Sequence, residues 1–563
     1  MTNDLFIITG GGTGAKVAES LIHLAAAGVA PDRIHLLLID SDTSNGNLNR
    51  TIKTAKAYEK LSQWTWTVDA SISKGLFKGK DEVSKGLFPT QVHCYELTQS
   101  IDTVLNGGLK TSAPAAMGGV MDLLFDQSEQ EATCDDGFRA RPNLGCLLLA
   151  DHLNRTLLKN APGFFEALQR AVSSAGEKQV PIVVCASVFG GTGASLLPIA
   201  RRCVENVMAT RVERSTLHSI RWAAVKLLPH YQPATRKESV DPHRFLLDAA
   251  SALQFYSSVY RTEDSDGRYD AVYVIGSDNP SRNTVQTVLG HSAQANPAYF
   301  EEFLAALAIL RFSREPTDSS LPTHVYVSKR VDWTSLPGVS IDETHYQLAF
   351  LLHMGAFLLK RGDHQSDHQQ SYGLIRLLNT LEPNVIRSFP FYKELLDKWA
   401  KNFPQYQSAS NGQQPEILLR ASDMQQSSIE HLLSPVAEYF GRLLLWGSTS
   451  IAHAEAGLVA MKEGSYAELY SAMASIKEQE IAAGIADSRS DNALVRLLRG
   501  CLASMVHIHH KVNLGKPLNS GFQLMKKGHH IELASTMAEI EESLSSMKLG
   551  EVVDEYRRTQ IAA

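Results

Sequence analysis

The sequence predicts an α/β protein: a Rossmann-type parallel sheet with helices on both faces, followed by a largely α-helical C-terminal region. Three observations carry this reading. Up to about residue 330, short β-like runs alternate with helical stretches. Those runs are apolar along their whole length, as strands covered on both faces require. Beyond about residue 340 the β pattern nearly vanishes and amphipathic helices follow one another.

The elements justify this in order. FIITG (6–10), a helix through VAESLIHLAAAG (17–28) and IHLLLID (34–40) make a first β-α-β unit. Further strands are expected at PIVVCASV (181–188), IRWAAVKLL (220–228), YDAVYVIG (269–276) and THVYVSK (323–329). Between them LLPIARRCVENVMA (196–209), RFLLDAASALQFYSSVY (244–260) and PAYFEEFLAALAILRF (297–312) have helical spacing. Downstream, THYQLAFLLHMGAFLLK (344–360), SIEHLLSPVAEYFGRLLLW (428–446) and NALVRLLRGCLASMVHIHH (492–510) read as helices, separated by Gln- and Ser-rich loops. No repeat of fixed period is present.

Bulk properties exclude several classes. A net charge of −6 argues against a general polyanion-binding surface, so no nucleic-acid partner is expected. No apolar run approaches the ~20 residues that span a bilayer, so no membrane partner is expected. The start, MTNDLFIITG, lacks a basic n-region and runs directly into a strand, which argues against a signal peptide. The six cysteines are scattered without CxxC or zinc spacing, the pattern of reduced thiols in a cytoplasm.

Two glycine clusters stand out: Gly10-Gly11-Gly12-Thr13-Gly14-Ala15-Lys16 after the first strand, and Gly190-Gly191-Thr192-Gly193-Ala194-Ser195 after PIVVCASV. A strand–glycine loop–helix unit aims backbone N–H groups and the positive end of a helix dipole at one point, which suits phosphate. A P-loop fails, because Lys16 is preceded by Ala15 and followed by Val17. A dehydrogenase-type dinucleotide site fits the first cluster, with Asp40 for a ribose hydroxyl. Its third glycine, however, falls at Lys16, and no YxxxK pair occurs. Neither scheme explains the second cluster.

The order of the motifs resembles the tubulin/FtsZ superfamily, over roughly residues 1–335. The first glycine cluster is similar to that family's first phosphate loop, and LLLIDSDTSNGN resembles its acidic loop near magnesium, with Asp40 and Asp42. RARPNLGCL looks like the loop that contacts the terminal phosphate, and VFGGTGAS is similar to the signature GGGTG[ST]G. The signature departs at both ends, with Phe189 and Ser195 where glycines are expected. WAAVKLLPHYQP and the helix at 297–312 resemble the family's next strand and its central helix. The resemblance implies a nucleotide-binding domain over 1–295, a central helix and catalytic-type loop over 296–338, and a mainly helical domain over 339–563. It further implies GTP or GDP and Mg2+ as cofactors. Gly10 to Gly14, Lys16 and Gly190 to Ser195 would then hold phosphates, Asp40 and Asp42 the magnesium, and Arg139, Pro142, Asn143 and Gly145 the terminal phosphate. Asn296 and either Tyr299 or Phe300 would meet the base.

In that family hydrolysis is completed by an NxDxx[DE] loop of a neighbouring subunit. KRVDWTSLPG (329–338) resembles it, with Asp332 as the catalytic acid, Arg330 replacing the asparagine and Ser335 the second acid. Glu301 and Glu302 are weaker candidates, expected in solvent. The expected activity is thus a GTPase that depends on self-association, as a dimer or filament. The alternatives are a non-hydrolysing, nucleotide-gated scaffold whose C-terminal helices dock a protein partner, and an NAD(P)-linked oxidoreductase. Histidines at 364 and 368, at 507, 509 and 510, and at 529 and 530 read as polar surface residues rather than zinc ligands. Ser187 and Ser195 lack a GxSxG elbow.

Overall fold

In a computed structural model the chain is described over residues 4–62, 88, 90–98, 115–131, 138, 141–176, 178–233, 242–260, 269–276, 284–285, 292, 294–314, 324–328, 344, 348, 351–352 and 426–451. Its strands are β1 (Asp4–Gly10), β2 (Arg33–Asp40), β3 (Gln91–Thr98), β4 (Val180–Ser187), β5 (Ile220–Leu227), β6 (Ala271–Ile275) and β7 (His324–Ser328). They form one seven-stranded sheet in the order β3-β2-β1-β4-β5-β6-β7, with every neighbouring pair parallel. A separate short parallel ladder joins Gln232–Pro233 to Thr284–Val285.

Continuous apolar runs build this sheet because both of its faces are covered. β4 and β5 are buried at every position. Side chains alternate between two cores: Phe6, Ile8, Ile182, Val184, Trp222 and Ala224 share one. The residues between them, such as Ile7, Val183 and Ala223, are equally buried on the other face. β3 was not expected. It is an edge strand with Gln91, His93 and Glu96 exposed, so it lacks the continuous apolar signature of its neighbours.

The helices are α1 (Gly11–Ala26), α2 (Gly46–Ser62), α3 (Ala115–Leu124), α4 (Gln127–Gln130), α5 (Pro142–Asn160), α6 (Pro162–Ser173), α7 (Gly191–Leu196), α8 (Ala200–Met208), α9 (Pro242–Tyr260), α10 (Phe300–Arg314) and α11 (Gln426–Ser450). On one face α1 packs against α2 and α10, and α11 lies on α2 and α10. On the other, α5 packs against α6, α7 and α8. α1 starts at Gly11, directly after the strand and earlier than the periodic stretch from residue 17 suggests. The helix expected over 196–209 is broken into α7 and α8. Pro198 has no N–H for the Ala194 carbonyl, and the Tyr256 hydroxyl takes that carbonyl instead, at 2.7 Å.

β7 pairs with β6, so the sheet continues past residue 295 to Ser328. α10, the expected central helix, is buried along residues 300–312 and packs on α1, β5 and β6. Of the stretch 339–563, α11 is the one long helix among the described residues. Its Trp446 Nε1 donates to Ser20 Oγ at 2.9 Å, and the Tyr439 hydroxyl meets His23 Nδ1 at 3.2 Å, both on α1. Arg139, Asp332 and the histidines at 364, 368, 507, 509, 510, 529 and 530 lie outside the described residues. Among the described residues no helix is long and apolar enough to cross a membrane.

Candidate functional site

The two glycine turns are neighbours in space. β1 and β4 pair with Thr9 beside Cys185 and Gly10 beside Ala186, so their C-terminal ends lie side by side. From there β1 leads through α1 to β2 on one side, and β4 leads through α7 and α8 to β5 on the other. That divergence is a topological switch point, the place where open parallel sheets leave a crevice for ligands. Gly11 has φ +70°, a conformation that disfavours any side chain, and a Cβ there would stand 3.5 Å from Gly193 N. A Cβ on Gly193 would come within 2.9 Å of the Ser187 carbonyl, so glycine is what lets the second turn close against its own strand. Both helices begin on glycine N-caps, without a side-chain cap and without an acidic residue in the first turn. Their leading N–H groups therefore lack the side-chain acceptor that usually satisfies them.

The acidic loop closes on the second turn. Asp40, 4% exposed at the end of β2, accepts hydrogen bonds on Oδ1 from Thr192 Oγ1 (3.1 Å) and Asp42 N (3.2 Å). Its Oδ2 is buried without a hydrogen-bond partner. Burial pushes this carboxyl up to about 7, outweighing the hydrogen bond from the Asp42 N–H. Asp42 accepts from the backbone N–H and hydroxyl of Ser44 at 3.0 and 2.8 Å. Ser41 Oγ and Thr192 Oγ1 are 3.4 Å apart. Among the described residues no cluster of three or more His, Cys, Asp or Glu groups forms a metal cage. Two carboxylates with one orphaned oxygen instead suit a hard cation that completes its shell with phosphate oxygens and water.

From Pro142 on, the expected terminal-phosphate loop is helical. Proline is favoured at the first helical position, and Pro142 opens α5 there. Asn143 is exposed, with its Nδ2 3.3 Å from Glu129 Oε1. Gly145 is buried against the second turn: a Cβ there would fall 2.0 Å from Ser195 Oγ. Ser195 Oγ donates to the Gly191 carbonyl at 2.7 Å and lies 3.3 Å from that of Pro142. Gly145 thus accommodates the serine that replaces the signature's last glycine. Phe189, at the other departure, packs edge-on to Tyr231 with ring centroids 5.5 Å apart.

Lys16 turns away from the turn it follows. It is 1% exposed, ion-paired to Glu302, and 5.3 Å from the ring centroids of both Tyr231 and Tyr299. Glu302 also meets His230 Nε2 at 2.8 Å and accepts the Tyr299 N–H at 2.8 Å, capping α10. Burial opposes the Glu302 charge, but His230 and Lys16 together hold the carboxyl down at about 2. Burial would lower His230, and Glu302 raises it above its ordinary value. The expectation that Glu301 and Glu302 are solvated is overturned, since they are 4% and 0% exposed. The polar half of an apolar helix start, Glu302 at its third position, was the available sequence signal.

The residues expected at a base sit beside this network. Tyr299 and Phe300 are 9% and 4% exposed, and the Asn296 carbonyl accepts Arg50 Nη1 at 2.7 Å. Lys226 was not singled out from sequence. It is buried on β5 beside Ala186, 4.5 Å from the Tyr256 ring centroid, and burial lowers its amine to about 7. The four described cysteines are free thiols, and Cys185 is fully buried, with its thiol raised far above the usual range. Compared with known proteins, the chain matches no family model and no curated sequence.

Proposed function

We propose that this chain is a tubulin/FtsZ-like nucleotide-binding protein that holds a nucleoside triphosphate, with its magnesium ion, at the switch point between β1 and β4. The observation that carries the reading is the buried Asp40 carboxylate, tied by Thr192 to the second glycine turn and left with one unpartnered oxygen. The N–H groups after Gly10 and Gly190 would hold phosphate oxygens, with the α1 dipole favouring their charge. Asp40 and Asp42 would hold the magnesium, which when bound neutralises the phosphate charge. Thr192 orients Asp40, and Ser44 orients Asp42. The resemblance supplies GTP as the nucleotide and Asp332 of a second copy as the group that completes hydrolysis.

The test is equilibrium binding of GTP to the purified chain with and without Mg2+. Magnesium should tighten binding, and Asp40→Asn should weaken the magnesium-dependent part by ~10-fold or more. Magnesium-independent binding, or full retention by Asp40→Asn, would remove the cation site. If hydrolysis is shared between copies, turnover per chain rises with protein concentration. The strand order 3-2-1-4-5-6 is also that of dinucleotide-binding sheets, which favours NAD(P) as the second reading. NADPH that binds and displaces GTP would support it.

A further inference from the structure

We infer that Asn47 is a further binding residue of this site, its side-chain Nδ2 donating to a phosphate oxygen of the nucleotide held over the first glycine turn. This rests on the phosphate-site reading above and adds a side-chain donor to the backbone N–H groups.

Gly12 is the second residue of α1. The Cα–Cβ bond of a helical residue points toward the helix N-terminus, so whatever would crowd a Cβ here flanks the mouth of the turn. A Cβ on Gly12 would stand 3.1 Å from both Asn45 Nδ2 and Asn47 Nδ2. The third glycine of the cluster thus makes room for two carboxamides. They stand beside the leading N–H groups of α1, which no capping side chain satisfies.

The two carboxamides differ in what they have left to give. Asn45 Oδ1 caps α2 by accepting the N–H groups of Asn47 and Leu48 at 3.0 and 3.3 Å, and its Nδ2 donates to Gln294 Oε1 at 2.9 Å. Asn47 is 2% exposed, and its Oδ1 accepts Arg50 Nη1 at 3.4 Å. Its Nδ2 bonds no group among the described residues. A side-chain donor so deeply placed normally has an acceptor. Because Oδ1 faces Arg50, Nδ2 is left facing Gly12. The donor is held there from several sides. Arg50 Nε donates to Glu19 of α1 at 2.9 Å, and Arg50 Nη1 donates to the Asn296 carbonyl at 2.7 Å. The Gln294 carbonyl accepts the Asn47 N–H at 3.1 Å. A phosphate oxygen suits this place, since it accepts from several N–H groups at once and forms strong, charge-assisted bonds with them. Nδ2 has no lone pair for the magnesium, which stays with Asp40 and Asp42.

The experiment measures equilibrium binding of GTP with Mg2+ to the wild-type chain, Asn47→Ala and Asn47→Asp, together with urea unfolding of each. Asn47→Ala should bind roughly tenfold or more weakly, the loss of one hydrogen bond to a charged group. Asn47→Asp keeps an oxygen for Arg50 and should keep the wild-type urea midpoint. It nevertheless turns a negative charge toward the phosphate and should bind more weakly still. An alanine variant with wild-type affinity overturns the proposal while leaving the phosphate site standing. So does an aspartate variant that binds as tightly as wild type, because a carboxylate is tolerated beside a ligand hydroxyl but not beside a phosphate. If the alanine variant unfolds more easily, the aspartate variant decides alone. If the wild-type chain binds no GTP, the phosphate-site reading fails and the role of Asn47 falls with it.

Discussion

At Gly145 the start of α5 and the second glycine turn meet with no space for one more carbon. A methyl group there would collide with Ser195 Oγ and lie 2.9 Å from Phe138, so Gly145→Ala forces either α5 or the turn to shift. Overpacking of this kind costs about 1–3 kcal/mol. Ser195→Gly removes the nearer obstacle, and the two changes together should cost less than their sum, by about 1 kcal/mol or more. A double-mutant cycle from urea unfolding measures this. Additive effects would mean that the serine does not occupy the space Gly145 leaves. The coupling bears on function, because Ser195 bonds the Gly191 carbonyl within the turn proposed to hold phosphate.

α11 is fastened to the back of the helix that carries the first glycine turn. Trp446 is 3% exposed, donates to Ser20, and packs on Phe303 with centroids 5.8 Å apart, thus joining α1 to α10. Trp446→Ala should destabilise the chain by about 3–5 kcal/mol, through lost burial and the cavity left behind. Trp446→Phe keeps most of the ring and loses the hydrogen bond, at a cost of about 1 kcal/mol. Urea midpoints of the two variants give the comparison. A cost below ~1 kcal/mol for the alanine variant would show that α11 contributes nothing to the α/β body.

Across the whole molecule, the buried titratable groups set how stability changes with acid. His23 is fully buried between α1 and α11, and burial, aided by Arg442 and Arg50, lowers its imidazole from 6.5 to about 3. In the unfolded chain it takes a proton below pH 6.5, whereas in the folded chain it stays neutral down to about pH 3. Its contribution is therefore intact above pH 6.5 and is lost as pH falls toward 3, at about 1.4 kcal/mol per pH unit. The wild-type chain should lose about 1 kcal/mol more stability between pH 6.5 and 5.5 than His23→Gln, measured by urea unfolding at each pH. Parallel profiles would mean that His23 is not held neutral. Glu302, held at about 2, adds a similar loss at lower pH, below its ordinary value of 4.5.

The sequence by itself determined the parallel sheet, the run of strands through Ser328, and the two glycine turns. Those features depend on local pattern: continuous apolar runs, and glycines where a strand must turn at once into a helix. It did not disclose β3, whose edge position allows polar residues that hide its strand character. Nor did it disclose that residues 142–147 are helix, that Glu302 is buried, or that Lys16 faces Glu302 rather than the phosphate turn. These are decided by residues far apart in the chain: Gly145 yields to Ser195, and Glu302 gathers Lys16, His230 and the Tyr299 N–H. Local pattern shows where a backbone donor can face a ligand. Only the packed structure decides which side chains are already satisfied, because a buried charge takes its partner from whatever element the fold brings against it.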